Sequence, residues 1–376
     1  MGFRFIHTAD WQLGRSFKQF EPELAAQLAA VRLDVIETIG KIAEDEAIDH
    51  VFVAGDVWDI AAPSDRLLRQ PLDRMGAFES VTWWLMPGNH DPAEKHGLWD
   101  RLGSMDTPAN VRAVTKPEVF YPEPGVAILP APFQSRMPGR DQTEAFTTMD
   151  VDEGSIRIGL AHGGVVGFFD QSAQSAVIAK DRAFISDLDY LALGDWHGAA
   201  EVNEKTWYSG SPEPDRFPTN DPGWVLVVDV DRGSDPIVKK VKTAKYTWTR
   251  DRVDCVVGVD PKSEISALFN QPGPRHLRLS RLELHGELPM TDRMELLAFL
   301  DNEKDSLAHL RERYDGLITV VDPDSLEEIV SEGALRDAAA KIAARINDES
   351  SSTGEKAIAR RALDLLVTFS GEPEKS

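Results

Sequence analysis

Five times in its first 200 residues the chain runs from a short apolar stretch straight into a cluster of Asp, Asn or His. The strand-like stretches are Phe3–Thr8, His50–Ala54, Val81–Met86, Ile156–Ala161 and Tyr190–Leu193. They lead into Asp10 and Gln12, then Gly55-Asp56-Val57-Trp58-Asp59, Gly88-Asn89-His90-Asp91, His162-Gly163-Gly164 and Gly194-Asp195-Trp196-His197. Glycines flank four of these clusters, as a tight turn or a close backbone approach requires. In open α/β sheets ligands bind beyond the carboxyl ends of strands. Five such ends in chain order therefore predict one site, on one side of one sheet. Taken singly each cluster is weak, because a strand-end Asp is more often a turn or cap residue. Together they point to a shared metal site.

The remaining pattern is that of an α/β protein. Val126–Leu129 and Trp224–Val230 read as further strands. Pro22 to Glu46 carries apolar residues at 24, 28, 31, 35, 39 and 42, which is helical spacing. Ser64 to Ala77 predicts a second helix, and strand–helix–strand order gives layered α/β architecture. After Asp251 the texture changes. Leu277–Leu284 reads as strand, Met290–Arg313 as helix and Gly316–Val321 as strand, which together make a small α+β module. From Leu326 the chain is rich in Ala, Glu and Arg, with helices expected at Ala334–Ile346 and Glu355–Phe369. The expected division is 1–248, 249–325 and 326–376.

Charge narrows the chemistry. The 41 basic and 63 acidic residues leave a net −22, a surface that repels polyphosphates and argues against binding nucleic acid through basic patches alone. Divalent cations in an acidic cleft, or a basic partner, would reverse that. Cys255 is the single cysteine, which excludes a disulfide framework and a multi-cysteine zinc site. No apolar run approaches the ~20 residues of a membrane span, and Met1–Asp10 lacks the marks of a secretory signal. The expectation is a cytoplasmic protein without membrane contact. Carboxylate, imidazole and amide donors without thiolate suit manganese, magnesium, iron or zinc. Two such cations about 3.5–4 Å apart can share a carboxylate, clamp a phosphate and activate a water. They would also make the cleft of an acidic protein locally positive.

The run His7-Thr8-Ala9-Asp10-Trp11-Gln12-Leu13-Gly14, with GDVWD, GNHD, AHGG and GDWHG, resembles the calcineurin-like metallophosphoesterases. Within them it is similar to the SbcD branch, nuclease subunits of bacterial DNA-break repair complexes. The similarity covers about the first 245 residues, including Tyr208-Ser209-Gly210-Ser211-Pro212-Glu213; beyond that only the layout is similar. The resemblance implies a metallophosphoesterase β-sandwich flanked by helices, a small α+β capping domain and a helical C-terminal tail. It implies a first cation on Asp10, Gln12, Asp56 and His197. A second would sit on Asp56, Asn89, His162 and Asp195, with Asp56 bridging. His90 matches the residue that protonates the leaving oxygen or steadies the transition-state charge. Asp59 matches a supporting position, with a helix cap as the plainer reading, and Asp91 either orients His90 or serves a turn.

The implied function is manganese-dependent DNA cleavage, with magnesium as the alternative cation. A hydroxide activated by two divalent ions would hydrolyse the phosphodiester. The implied partners are DNA and an SMC-like ATPase, with a homodimer left open. The rivals are a metallophosphoesterase of nucleotides or phosphoproteins, and a non-catalytic scaffold with a degenerate metal site. Two residues depart from the family pattern: Gln12 stands where His is usual, and Asp195 where the first His of G-H-x-H is usual. The more oxygen-rich donor set favours manganese or magnesium over zinc, and the neutral Gln12 predicts a weaker first site.

Other features have plainer readings. Trp11, Trp58, Trp196 and the pair Trp83-Trp84 are read as packing beneath the metal loops rather than stacking on bases. Arg275–Arg281, with His276, reads as solvated strand charge rather than a DNA-facing edge. His7, His50 and His96 read as structural. The terminal helices match Leu335, Ala339, Ile342 and Ile346 against Ala362, Leu363, Leu366 and Phe369. Those faces either pack on the capping module or dock on the coiled-coil root of an ATPase.

Overall fold

The seven apolar runs before Asp251 become strands within a residue or two of their expected limits. The computed structural model describes residues 2–60, 62–137, 139–168, 176–217, 220–320, 334–348 and 350–370. It forms two units, Met1–Lys245 and Tyr246–Ser376. In the first, the strands in chain order are β1 (Phe3–Thr8), β2 (His50–Val53), β3 (Thr82–Leu85), β4 (Val111–Ala113), β5 (Phe120–Glu123), β6 (Val126–Ala131) and β7 (Ile156–His162). There follow β8 (Gly164–Val165), β9 (Ala176–Ile178), β10 (Tyr190–Gly194), β11 (Ala200–Asn203), β12 (Thr206–Tyr208), β13 (Trp224–Val230) and β14 (Ile237–Lys242).

These strands make two six-stranded sheets, ordered β14-β13-β1-β2-β3-β4 and β11-β12-β10-β7-β6-β5. The expectation of a single sheet is thereby corrected. Asp10, Asp56 and Asn89 follow strands of the first sheet, whereas His162 and Asp195 lie at the ends of β7 and β10 in the second. The cause is general: strands covered on both faces read as continuous apolar runs, and nothing in such a run records its sheet. β6 is buried along its whole length.

Four layers result. The sheets face one another through Phe3, Phe5, Phe52 and Met86 on one side and Ile128, Ile158, Leu160 and Tyr190 on the other. Helices α1 (Pro22–Asp45), α2 (Asp65–Gly76) and α3 (Leu98–Gly103) cover the outer face of the first sheet. Helix α1 opens with Pro at its first turn and buries Leu28, Val31, Val35, Ile36 and Ile39, one helical stripe. Ser64 caps α2 by accepting from the Leu67 amide at 3.3 Å. The 3-10 turn Gln142–Thr147 and α4 (Arg182–Ile185) cover the second sheet through Phe146 and Ala183. β1, β2 and β3 run parallel, as do β7 and β10, so their polar clusters gather at matching strand ends.

In the second unit β15 (Thr247–Cys255), β16 (Arg278–Pro289) and β17 (His309–Val320) form a parallel sheet. Helices α5 (Lys262–Phe269) and α6 (Met290–Lys304) pack on it through Ile265, Leu296 and Leu300. The helix expected over Met290–Arg313 is therefore too long. It stops at Lys304, and from His309 the chain pairs with β16, a long-range contact that local spacing does not report. Helices α7 (Ala334–Asn347) and α8 (Thr353–Ser370) pack together, and α8 also lies against β17. The boundary expected near 326 lies outside the described residues. Arg278 is buried, with Nη2 donating to the Gln271 carbonyl at 2.8 Å, while Arg275 and Arg281 pair with Glu303 and Glu283. The segment read as solvated charge is thus largely structural. Trp11, Trp58 and Trp83 are fully buried.

Candidate metal centre

The strand ends of both sheets meet at one cluster of side chains. Asp10 and Asp56, just past β1 and β2, hold φ of +54° each; Gln12 and Asp195 also lie at positive φ, +45° and +98°. Such backbone costs of order 1 kcal/mol or more for a non-glycine residue and collects at functional sites. It is mildest for Asp, which tolerates the left-handed region. Gly55, at φ +91°, must lack a side chain, since a Cβ there would fall 2.3 Å from His162 Nδ1. That close approach lets a residue of the second sheet enter the loops of the first.

One atom from each of Asp10, Asp56 and His162 lies within 4.8 Å of the other two, all buried. His162 Nδ1 donates to the Ala54 carbonyl at 2.8 Å, which aims Nε2 into the cluster. Nε2 is 3.4 Å from Asp56 Oδ1 and 3.9 Å from Asp195 Oδ1. Asn89 Oδ1 is 3.0 Å from the same nitrogen. Turned this way, the Asn89 oxygen meets only acceptors; with the amide reversed, its nitrogen donates at 3.0 to 3.2 Å to His162 and both Asp56 oxygens. A cation between these acceptors satisfies the first orientation.

The electrostatics agree. Burial works against a charged His162, yet Asp56, Asp10 and Asp195 outweigh it and raise its pKa to about 9. Burial pushes Asp10 up to about 6, opposed by His197 and His162, and burial raises Asp195 too. The carboxylates favour positive charge at the point that Nε2 faces, whether a proton or a metal ion supplies it. Asp10, Asp56, Asn89, His162 and Asp195 thus fit a hard divalent cation.

The other expected residues are placed less simply. Gln12 Oε1 accepts from Arg15 Nη1 at 2.7 Å, and Gln12 Nε2 lies 3.2 Å from His197 Nε2. His197 Nδ1 is 3.2 Å from Asp215 Oδ1. His90 is half-exposed, its Nδ1 3.0 Å from Asp59 Oδ1 and its Nε2 4.0 Å from Asp56 Oδ2. The Asp59 hydrogen bond raises the His90 pKa against the opposing effect of burial. Asp59 therefore supports His90 rather than capping a helix. Asp91 serves the loop: its carboxylate accepts from the Gly88 and Trp58 amides at 2.7 and 3.1 Å.

Sequence reasoning missed Arg15, Arg32, Asp215 and Arg216. Arg32, buried on α1, donates to the carbonyls of Trp11, Glu213 and Asp10 and to Ser211 Oγ, and so ties the first loop to the Tyr208–Glu213 run. Asp215 takes Arg15 Nε and Arg216 Nε, each at 3.0 Å. Burial opposes its charge, but His197, Arg32 and Arg216 hold its pKa well below the usual range. The one available signal was adjacency to the Tyr208–Glu213 motif. A cleft of about 290 Å³, lined by Gln12, Arg15, Asp56, His90, Asp195 and Arg216 among others, opens over the centre. A larger cavity, about 740 Å³, lies along β4 and contains none of the expected site residues.

A sequence profile described as calcineurin-like phosphoesterase matches residues 3–228. The SbcD component of the SbcCD nuclease of Staphylococcus saprophyticus is 22% identical over 232 residues, covering 55% of this chain and 60% of that protein. The chain thus spans less than two thirds of that relative's length. Among solved structures, a purple acid phosphatase from yellow lupin (Lupinus luteus) seeds aligns at 15% identity with a TM-score of 0.39, over 65% of this chain and 52% of that one.

Proposed function

This chain belongs to the calcineurin-like phosphoesterase family, and on that footing we propose that it is a manganese-dependent DNA nuclease of the cytoplasm that works with an SMC-like ATPase. The observation that carries the hydrolytic reading is the convergence of Asp10, Asp56 and His162 from two sheets, beside a half-exposed His90. Asp56, Asn89 and His162, with Asp10 and Asp195, would hold the cation, and Gln12 and His197 border the position expected for a second one. A bound divalent ion there supplies a water of lowered pKa and polarises a phosphoryl oxygen. The chain's own residues do the rest. Asp59 fixes the His90 ring, and the protonated ring donates to the leaving oxygen as the P–O bond breaks. Arg15 and Arg216 border the cleft and meet the phosphate charge.

DNA as substrate is favoured by the SbcD-like motifs and by the staphylococcal relative, a nuclease component by its name. The ATPase partner has one structural support. Helix α8 leaves Ile358 and Leu365 exposed, seven residues apart and so on one face. The test is to load the full chain with manganese and offer linear duplex DNA, nucleoside monophosphates and phosphopeptides in parallel. Chelator-sensitive cleavage of DNA is expected. Hydrolysis confined to monoesters would replace the nuclease reading, and no hydrolysis by a metal-loaded protein would favour a scaffold.

A further inference from the structure

We propose that this chain works with one resident divalent cation, and that the guanidinium of Arg216, braced by Arg15, takes the place of the other. The inference rests on the metal-centre reading above and deepens it. Gln12 has one atom able to ligate a metal, Oε1, and that atom already accepts from Arg15 Nη1 at 2.7 Å. What the side chain turns toward His197 Nε2 is its amide nitrogen, a donor, at 3.2 Å. Nδ1 of His197 gives its proton to Asp215, and Nε2 faces two donors, Gln12 Nε2 and Arg216 Nη2. Asp215 lies 3.2 Å from Nδ1, and Arg216 Nη2 lies 3.1 Å from Nδ1 and 3.5 Å from Nε2. Asp215 locks both arginines in place, 3.0 Å from each Nε, and Arg15 Nη1 stands 3.7 Å from Asp59. A dication beside Gln12 and His197 would have to break these contacts and sit against a fixed positive charge. The position framed by Asp56, Asn89 and His162 has the opposite character, since acceptors face one another there.

The substitution makes chemical sense. A guanidinium keeps its charge at every working pH and offers a planar fork to two phosphate oxygens. The Arg216 side chain is 59% exposed, and it lines the cleft that Asp56, His90 and Asp195 also line. Its Nη end can therefore turn from His197 to the non-bridging oxygens of a phosphodiester while Nε stays on Asp215. The reaction keeps its balance: a water loses one proton to solvent, its oxygen attacks phosphorus, the bond to the leaving oxygen breaks, and that oxygen takes the proton of His90. Arg216 offsets the charge that grows on the non-bridging oxygens.

Equilibrium dialysis of the full chain against manganese, followed to millimolar concentration with metal analysis and electron paramagnetic resonance, tests this directly. One manganese per chain with the spectrum of an isolated ion is expected. The double variant Gln12→His, Arg216→Ser should take up a second, magnetically coupled ion. Two coupled ions in the unaltered chain would overturn the inference while leaving the metal centre standing; no bound manganese would sink both. Arg216→Ala should keep its manganese yet hydrolyse bis(p-nitrophenyl) phosphate about 10²–10³-fold more slowly, the range for losing a preorganised charge-stabilising donor. Arg216→Lys should recover part of that loss. An unchanged rate in Arg216→Ala, or loss of its manganese, would also overturn the assignment.

Discussion

At the scale of single residues, His90 separates chemistry from metal binding. Its Nδ1 is held by Asp59 while its Nε2 stays 4.0 Å from Asp56, so on the proposed reading it borders the cation position without ligating it. His90→Ala should lose ~10²–10⁴-fold in rate, the usual share of a general acid, with manganese content unchanged. Loss of the metal would make His90 a ligand instead. Gly88 tests the geometry of Asp56. A Cβ at Gly88 would fall 2.2 Å from Asp56 Oδ1 and 2.5 Å from its amide nitrogen, so Gly88→Ala must displace the carboxylate. A ~10–100-fold loss of manganese affinity is expected, as when groups that orient ligands are altered; unchanged affinity in a titration would contradict the placement. The strand-end residues were legible because each follows an apolar run directly. Arg15, Asp215 and Arg216 were not, since they act through loops whose meeting depends on the whole fold.

At the scale of elements, His7 on β1 spans the gap between the sheets. Its ring nitrogens bond the Tyr190 hydroxyl at 3.0 Å and the Leu193 carbonyl at 3.2 Å, both on β10. This is the structural role that the sequence suggested. Burial lowers its pKa from 6.5 to about 3, while the bond to Leu193 opposes the shift. The unfolded chain therefore takes up a proton that the folded chain refuses. The associated stability is complete well above pH 6.5 and drains away as pH falls toward 3, the loss reaching about 2 kcal/mol at pH 5. In urea unfolding at pH 7 and pH 5, His7→Gln should show that much less acid destabilisation than the unaltered chain. An identical pH dependence would mean that His7 is not buried neutral. The pairing that His7 bridges is also what the sequence could not give. The apolar runs located strands well but did not assign them to two sheets, and the first residues of β17, His309–Arg313, were read as helix because their partner β16 is distant in sequence.

At the scale of the molecule, each unit has its own core, and every residue of the metal centre lies within Met1–Lys245. A fragment of residues 1–245 should fold cooperatively, bind manganese and hydrolyse a small diester at a rate close to that of the full chain. An insoluble fragment would show that the second unit completes the first. Removing 334–376 from the full chain should spare that activity and abolish binding to the proposed ATPase partner; retained binding would place the docking surface elsewhere. On the proposed reading, the net charge of −22 leaves any affinity for DNA to a cation and a few guanidiniums.

The most direct measurement is metal-dependent hydrolysis of DNA by Asp56→Ala beside the unaltered chain, with metal content determined on the same samples. Asp56 is buried, lies 3.4 Å from His162 Nε2 and accepts from the His90 amide at 2.9 Å, so the centre depends on it more than on any other side chain. The expected result is a folded protein that has lost both its manganese and its hydrolysis. Hydrolysis near the level of the unaltered chain would contradict the metal centre described here.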